Sequence, residues 1–370
     1  MGHELASAVR APGGARRHRR GPRHRDGFLL GTRGDEPGRD PLGQGRLVRR
    51  RAFVASLAWP FAARAVDGQA KIALPRDEGA HPDSRTEWWY LTGWLGDSLG
   101  FQVTFFRFRR DEDTTNPSAF TPRQILLAHA ALADPRRGRL VHDERAAREG
   151  FSLAQAERGR ASVWIDDWRL EQVGDGYRVH LPGREFDFDL SFAGGGLVFQ
   201  GDGGVSRKGF RPAERSFYYS RPQLRVAGKL SGGAVEGLAW LDHEWSDAYV
   251  PPEASGWDWT GLNLADGGSV MAFRMRAKAG GVHYAPPGDS FTPLRTWRSP
   301  RTGIEYPVEM RVRHRDRELT LKPLMDDQEF DARASTGLIY WEGAVRAYEA
   351  GKEAGRGYLE LTGYGEPMKL

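Results

Sequence analysis

Asp242, His243 and Glu244 stand in a row between tryptophans, in the run LAWLDHEW at 238–245. Strand alternation puts Trp240, Asp242 and Glu244 on one face and His243 with Trp245 on the other. The two carboxyls would then lie about 7 Å apart. Enclosed so closely, they resist ionising together, and one could act as a general acid near neutral pH. His243 could assist by orienting a water molecule. A second row, TEWWYLTGWL at 86–95, sets Glu87 and Trp89 on one face and Trp88 and Tyr90 on the other. A third, GWDWTGLNL at 256–264, holds Asp258 between Trp257 and Trp259, and Tyr340-Trp341-Glu342 repeats the pairing of ring and acid. Tryptophan is bulky, and its N–H needs a partner when buried, so such clusters line pockets or plug barrels. Acids set among rings are where proton affinities shift and chemistry becomes possible. The competing reading is structural: the same carboxylates could pair with Arg107, Arg109, Arg274 and Arg276 at a joint between domains.

Composition narrows the classes. The first 65 residues carry 14 Lys and Arg against 5 Asp and Glu, a net of +9 in a chain whose total is +5, so the remainder is net −4. The basic character belongs to the leader, and no nucleic-acid partner is expected. The absence of cysteine excludes disulfides, thiol catalysis and Cys-ligated metal. The histidines form no HxH or HExxH pattern, and no Gly-x-Ser-x-Gly elbow, P-loop or dinucleotide fingerprint occurs. No metal and no cofactor are expected.

The elements that must position these residues read as strands. FQVTFFRFR at 101–109 has strong β propensity. Residues 168–181 form a hairpin about Gly174-Asp175-Gly176, and EFDFDLSF at 185–192 alternates with period two. The best helical signal is short, at 152–161. A weak internal repeat aligns Trp89-Tyr90-Leu91-Thr92-Gly93 with Trp257-Asp258-Trp259-Thr260-Gly261, and the FRFR run at 106–109 with FRMR at 273–276. The pattern predicts an all-β chain of two tandem antiparallel barrels, 66–248 and 249–370, meeting in the Pro-containing stretch near 246–255. Residues 1–45 read as a disordered or mis-started leader. RLVRRR followed by AFVASLAWPF and Ala63-Arg64-Ala65 reads as a signal peptide over 46–65. An exported, periplasmic or extracellular chain without a transmembrane span is therefore expected.

The motifs GAHPDSRTEWWYLTGWL (79–95), FYYSR (217–221), LAWLDHEW, GWDWTGLNL and STGLIYWEGAV (335–345), in this order, resemble the carotenoid 1,2-hydratase-like family, also described as secreted-hydrolase-like or AttH-type. The resemblance spans about residues 70–370. It implies two lipocalin-like (calycin-type) barrels and an elongated apolar ligand, isoprenoid or lipid-like. The family's named activity adds water across a terminal trisubstituted alkene without a cofactor. Read this way, Asp242, His243, Glu244 and Glu87 are candidate catalytic residues. Trp88, Trp89, Tyr90, Arg107, Trp240, Trp245, Trp257, Asp258, Trp259, Tyr340, Trp341 and Glu342 are candidate ligand contacts. The hydratase branch also carries an acid on the following strands, whereas VMAFRMR at 270–276 has Arg274 and Arg276 and no carboxylate. Relatives encoded beside ABC-transporter components imply the alternative role, a non-catalytic carrier or accessory of an envelope transporter.

Overall fold

A computed structural model describes residues 71–110, 118 and 120–368. The leader and signal-peptide segments expected over 1–65 lie outside the described residues. Within them there is no α-helix, only two three-residue 3₁₀ turns.

The strands fall into two sheets. The first holds β1 (Thr86–Leu95), β2 (Leu99–Arg109), β3 (Gln124–Ala133), β4 (Val141–Arg148), β5 (Ala154–Ala156), β6 (Ser162–Ile165), β7 (Trp168–Val173), β8 (Gly176–Pro182), β9 (Asp187–Ala193), β10 (Val198–Phe199), β11 (Val205–Arg207), β12 (Arg215–Leu230) and β13 (Gly233–Ser246). The second holds β14 (Ala254–Leu264), β15 (Ser269–Ala277), β16 (Val282–Tyr284), β17 (Ser290–Arg298), β18 (Glu305–His314), β19 (Arg317–Pro323), β20 (Glu329–Ala332), β21 (Leu338–Glu349) and β22 (Lys352–Leu361). The first runs in the order β4-β3-β2-β1-β13-β12-β9-β8-β7-β6-β5, the second β16-β15-β14-β22-β21-β19-β18-β17. All pairings are antiparallel. Each sheet curls until distant strands touch, β3 and β4 against β6 in one, β15 against β17 and β18 in the other. These are two barrel-like sheets in tandem.

Each barrel buries one face of its strands. Trp89, Leu91, Phe101, Val103, Phe105, Trp168 and Phe188 fill the first core. Leu262, Tyr306, Val308, Met310 and Trp341 fill the second. The alternation in β9 shows the rule, with Phe188, Leu190 and Phe192 inward and the residues between them more open. Yet β1 and β14 are buried almost without a break. Their outer faces carry Tyr90, Trp94, Trp257 and Trp259, which join Trp240, Tyr249 and Tyr358 in a third cluster between the barrels. The tryptophan surplus is thus the apolar joint of two sheets.

Two expectations change. The helical signal at 152–161 gives no helix. Phe151 and Ser152 take positive φ, and Ala154–Ala156 pairs with β6. The internal repeat is offset from its sequence alignment. In the structure Glu87 on β1 faces Arg107 on β2, and Asp258 on β14 faces Arg274 on β15. Trp89 and Trp257, aligned by sequence, look in opposite senses: Trp89 into the first core, Trp257 into the joint.

Candidate functional site

Strand register assembles the joint residue by residue. Tyr90 on β1, Asp242 on β13 and Ser220 on β12 are cross-strand partners, as are Trp88, Glu244 and Tyr218. Partners share a face, so this row points out of the first barrel toward the second. On the opposing sheet Trp259, Glu360 and Glu342 form one row across β14, β22 and β21. Between the rows lies an apolar slot of about 80 Å³, walled by Trp88, Tyr90, Tyr218, Trp257, Trp259 and Tyr340, with Asp242, Glu244 and Glu360 in its lining. Phe106 and His129 close another side. His129 Nδ1 meets the Tyr340 hydroxyl at 2.8 Å, tying β3 to β21 across the joint.

Each acid is held differently. Asp242 accepts from Tyr218 Oη at 2.7 Å, from Trp240 Nε1 at 2.7 Å and from Ser220 Oγ, all neutral donors. Burial outweighs these bonds and pushes its pKa up to about 7. Glu244 instead meets a buried cation, Lys208 Nζ at 2.7 Å, and accepts from Ser216 Oγ. Burial raises the Glu244 carboxyl and lowers the Lys208 ammonium, while their mutual charge works against both shifts. Lys208 also sits 4.2 Å from the Phe273 ring and 4.8 Å from that of Tyr249. Glu360 accepts from Trp257 Nε1 at 2.9 Å, and burial pushes it up to about 7. Burial also raises Glu342, well above the usual carboxylate range.

The remaining candidates lie elsewhere. Glu87 and His243 point into the first barrel, opposite Asp242 and Glu244, so they cannot share a reacting atom with them. There Glu87 Oε1 meets His243 Nε2 at 3.0 Å and His81 Nδ1 at 2.7 Å, and Arg107 Nε donates to Oε2 at 2.6 Å. Burial alone would raise Glu87, but the two histidines and the Arg107 charge hold it well below its ordinary range. Burial lowers His243 to about 4, leaving a neutral ring between Trp89 and Trp245. Arg107, Trp89 and Trp245 therefore belong to this interior hub and not to the slot. His81, Glu87 and His243 offer ligand atoms within 4.8 Å of one another. Both Glu87 oxygens already accept hydrogen bonds and Arg107 supplies the positive charge, so the group is a closed network.

Asp258 is likewise interior, bonded by Arg274 Nε at 2.7 Å, Arg276 Nε at 3.0 Å and Tyr364 Oη at 3.0 Å. Trp341 is in the second core and donates to Asp326 O. Of the expected arginine partners of Asp242 and Glu244, Arg107 serves Glu87, Arg274 and Arg276 serve Asp258, and Arg109 donates to Asp83 O at 2.6 Å. Trp240 holds Asp242 through its N–H, while its ring lines a larger cleft of about 890 Å³ on the other side. Among the described residues no helix is long and apolar enough to cross a membrane.

The AttH-like family model matches residues 65–364. The chain belongs to the AttH-like family. A Nitrosomonas europaea protein with a provisional AttH designation is 44% identical over 81% of this AttH-like chain and 99% of its own, with a TM-score of 0.75. Kievitone hydratase of Nectria haematococca shares the fold at 14% identity, covering 82% of this chain and 95% of its own, with a TM-score of 0.55. No curated protein matches. Four residues of this AttH-like site escape a reading from sequence: Lys208, Tyr218, Tyr249 and Glu360. None lies in a tryptophan cassette; strand pairing brings Tyr218 and Glu360 to the slot, Tyr249 reaches it from the segment after β13, and Lys208, just past β11, meets Glu244. β15 carries no carboxylate, and the acid that the second sheet places in the slot lining, Glu360, lies on β22.

Proposed function

We propose that the slot receives the terminal alkene of an elongated apolar molecule, isoprenoid or lipid-like, whose remainder extends beyond it, and that the protein hydrates this alkene without a cofactor, Asp242 giving the proton. The supporting observation is Asp242 itself, a carboxyl on the wall of an apolar cavity, held only by neutral donors and half-protonated near pH 7. An alkene carbon placed against it would take the proton, and the resulting cation would face the rings of Trp257 and Trp259. Glu244 is the weaker candidate, because Lys208 competes for its charge. The fold shared with a kievitone hydratase is compatible with hydration and makes kievitone a first probe. Geraniol, a small isoprenoid with a terminal trisubstituted alkene, is a second. Incubation in ¹⁸O-water followed by mass spectrometry should show one oxygen gained, and Asp242→Asn should abolish the gain. A wild-type protein that neither binds nor hydrates such probes would refute the reading.

The bonds to both Asp242 oxygens suit a structural carboxyl, and we propose as the second reading a non-catalytic carrier or accessory of an envelope transporter. In that case Asp242→Asn lowers stability and leaves apolar binding intact, with no product from either protein. Export belongs to the same proposal. N-terminal sequencing of the native protein should give a mature chain beginning near residue 66, and one that retains residues 46–65 would contradict it.

A further inference from the structure

Opposite Asp242, a cluster of buried polar groups stands at and behind the slot wall. Glu342 and Glu360 face each other directly across β21 and β22. Cross-strand partners have Cβ atoms about 4.5–5.5 Å apart, within reach of one shared molecule. Glu342 is 97% buried, at 3% exposure, and its Oε1 closes no hydrogen bond. Tyr90 Oη approaches Glu342 and Thr92 without closing a bond to either, and Tyr358 Oη, next to Ala344 on the same face, closes none. Tyr90 is 6% and Tyr358 1% exposed. Three buried polar atoms around two carboxyls therefore lack partners. A native interior leaves few such atoms, and a polar recess of this kind suits an ordered water that would bond two or three of them. Glu360 borders both the recess and the slot.

The other groups facing the pair add no cation. Among the described residues, Asp242, Glu244, Asp258 and Tyr249 bear on Glu360, Tyr90 and Tyr340 on both acids, and Tyr358 on Glu342. Arg274, Arg276 and Lys208, the nearby cations, are engaged by Asp258 and Glu244. Without a cation, two buried carboxyls on facing residues resist ionising together, so one keeps its proton while the other can act as a base.

We propose that Glu342, Glu360, Tyr90 and Tyr358 hold a water molecule against the slot, and that Glu360 removes its proton as it adds to the ligand. This rests on the hydration reading above. Asp242 gives its proton to one alkene carbon, and the π pair becomes the new C–H bond. The water oxygen bonds to the resulting carbocation while its proton passes to the Glu360 carboxylate. The sum is one water added and one proton moved from Asp242 to Glu360, which exchange with solvent resets. Glu360 is the catalytic base, and Glu342 is a positioning residue that keeps a proton within the pair.

Two measurements on the full chain test this. A high-resolution crystal structure should show an ordered water bridging Glu342, Glu360 and at least one of the tyrosine hydroxyls, lost in Glu342→Gln. A recess filled by direct carboxyl–carboxyl contact, with no water, overturns the inference whatever the kinetics. With geraniol in ¹⁸O-water, Glu360→Gln should cut oxygen incorporation by about 100-fold or more with geraniol affinity retained. Glu342→Gln, which removes the proton that stabilises the Glu360 carboxylate, should move the low-pH limb of the rate profile upward by about half a unit or more, which a purely structural loss would not do. Glu360→Gln at the wild-type rate, beside an inactive Asp242→Asn, overturns the inference and leaves the hydration reading standing. If wild type itself adds no oxygen, the hydration reading falls and the proposed role of Glu360 with it.

Discussion

Glu87 and Asp242 lie on hydrogen-bonded neighbouring strands, both buried, and their surroundings push them in opposite directions. Glu87 has Arg107 and two histidines; Asp242 has only neutral donors. The first is an ion-paired support, the second a poised acid. Glu87→Gln leaves Arg107 as a buried charge without its counterion, which costs about 3–5 kcal/mol. Urea denaturation should show it, and a loss below about 1 kcal/mol would contradict the hub's role. Asp242 carries a pH signature of its own. Its folded pKa, about 7, lies above that of an unfolded aspartate, so the fold binds this proton more tightly. The associated stability is fully present below the unfolded pKa and is lost as pH rises through about 7. In thermal melts from about pH 5 to about pH 8, the decline of Tm should be shallower in Asp242→Asn than in wild type. An unchanged slope would mean that Asp242 ionises at its ordinary pH.

Strand parity is the element-scale fact that sorts the site. Reading alternate residues places Asp242 and Glu244 together and His243 opposite, as the structure has it. Grouping Glu87 and His243 with them as one acid–base set fails because His243 is adjacent to both along β13 and so faces the other way, and Glu87 on β1 pairs with Trp245 on that opposite face. The repeat was legible through its arginines. It was misaligned at its tryptophans because Trp-x-x-Thr-Gly matches letters without matching inward and outward faces. Glu360, in the unremarkable run KEAGRGYLEL, and Lys208, just past the short β11, were not legible at all, since the pairing of β14 with β22 over a long sequence distance brings Glu360 to the slot and only the folded chain brings Lys208 to Glu244. Parity also explains a glycine. On β14, Gly261 follows Trp259 on the same face, and a Cβ there would lie 2.5 Å from the Trp259 ring and 3.0 Å from that of Trp240. Gly261→Ala should displace the slot wall at a cost of about 1–3 kcal/mol. Weaker binding of an apolar fluorescent probe, with a change in intrinsic tryptophan emission, is the expected result. Wild-type affinity would show that Trp259 does not form the ligand surface.

For the whole molecule, the joint is a third core. Tyr90, Trp94 and Trp240 come from the first sheet and Trp257, Trp259 and Tyr358 from the second, and each is buried by the other sheet. The contacts extend beyond the rings: Ser335 N donates to Glu144 at 3.1 Å, and Trp94 Nε1 donates to Gly357 O at 3.1 Å. Separating the sheets would expose these rings as one apolar patch. Residues 71–250 and 251–370 expressed singly should therefore aggregate, and co-expression should recover a soluble pair. Two halves that are each soluble and monomeric would show that the joint is dispensable to folding.

The row of acids has a historical consequence. Asp242 belongs to the first copy of the repeated sheet and Glu360 to the second, and each copy offers only one wall of the slot. A single-copy ancestor could have built such a slot only by pairing with itself, and its two walls would then have been identical by symmetry. Two different sheets in one chain allow the walls to be unequal. The pairing of an acid held by neutral donors with a carboxyl pair opposite is an asymmetry that no homodimer of this fold could encode.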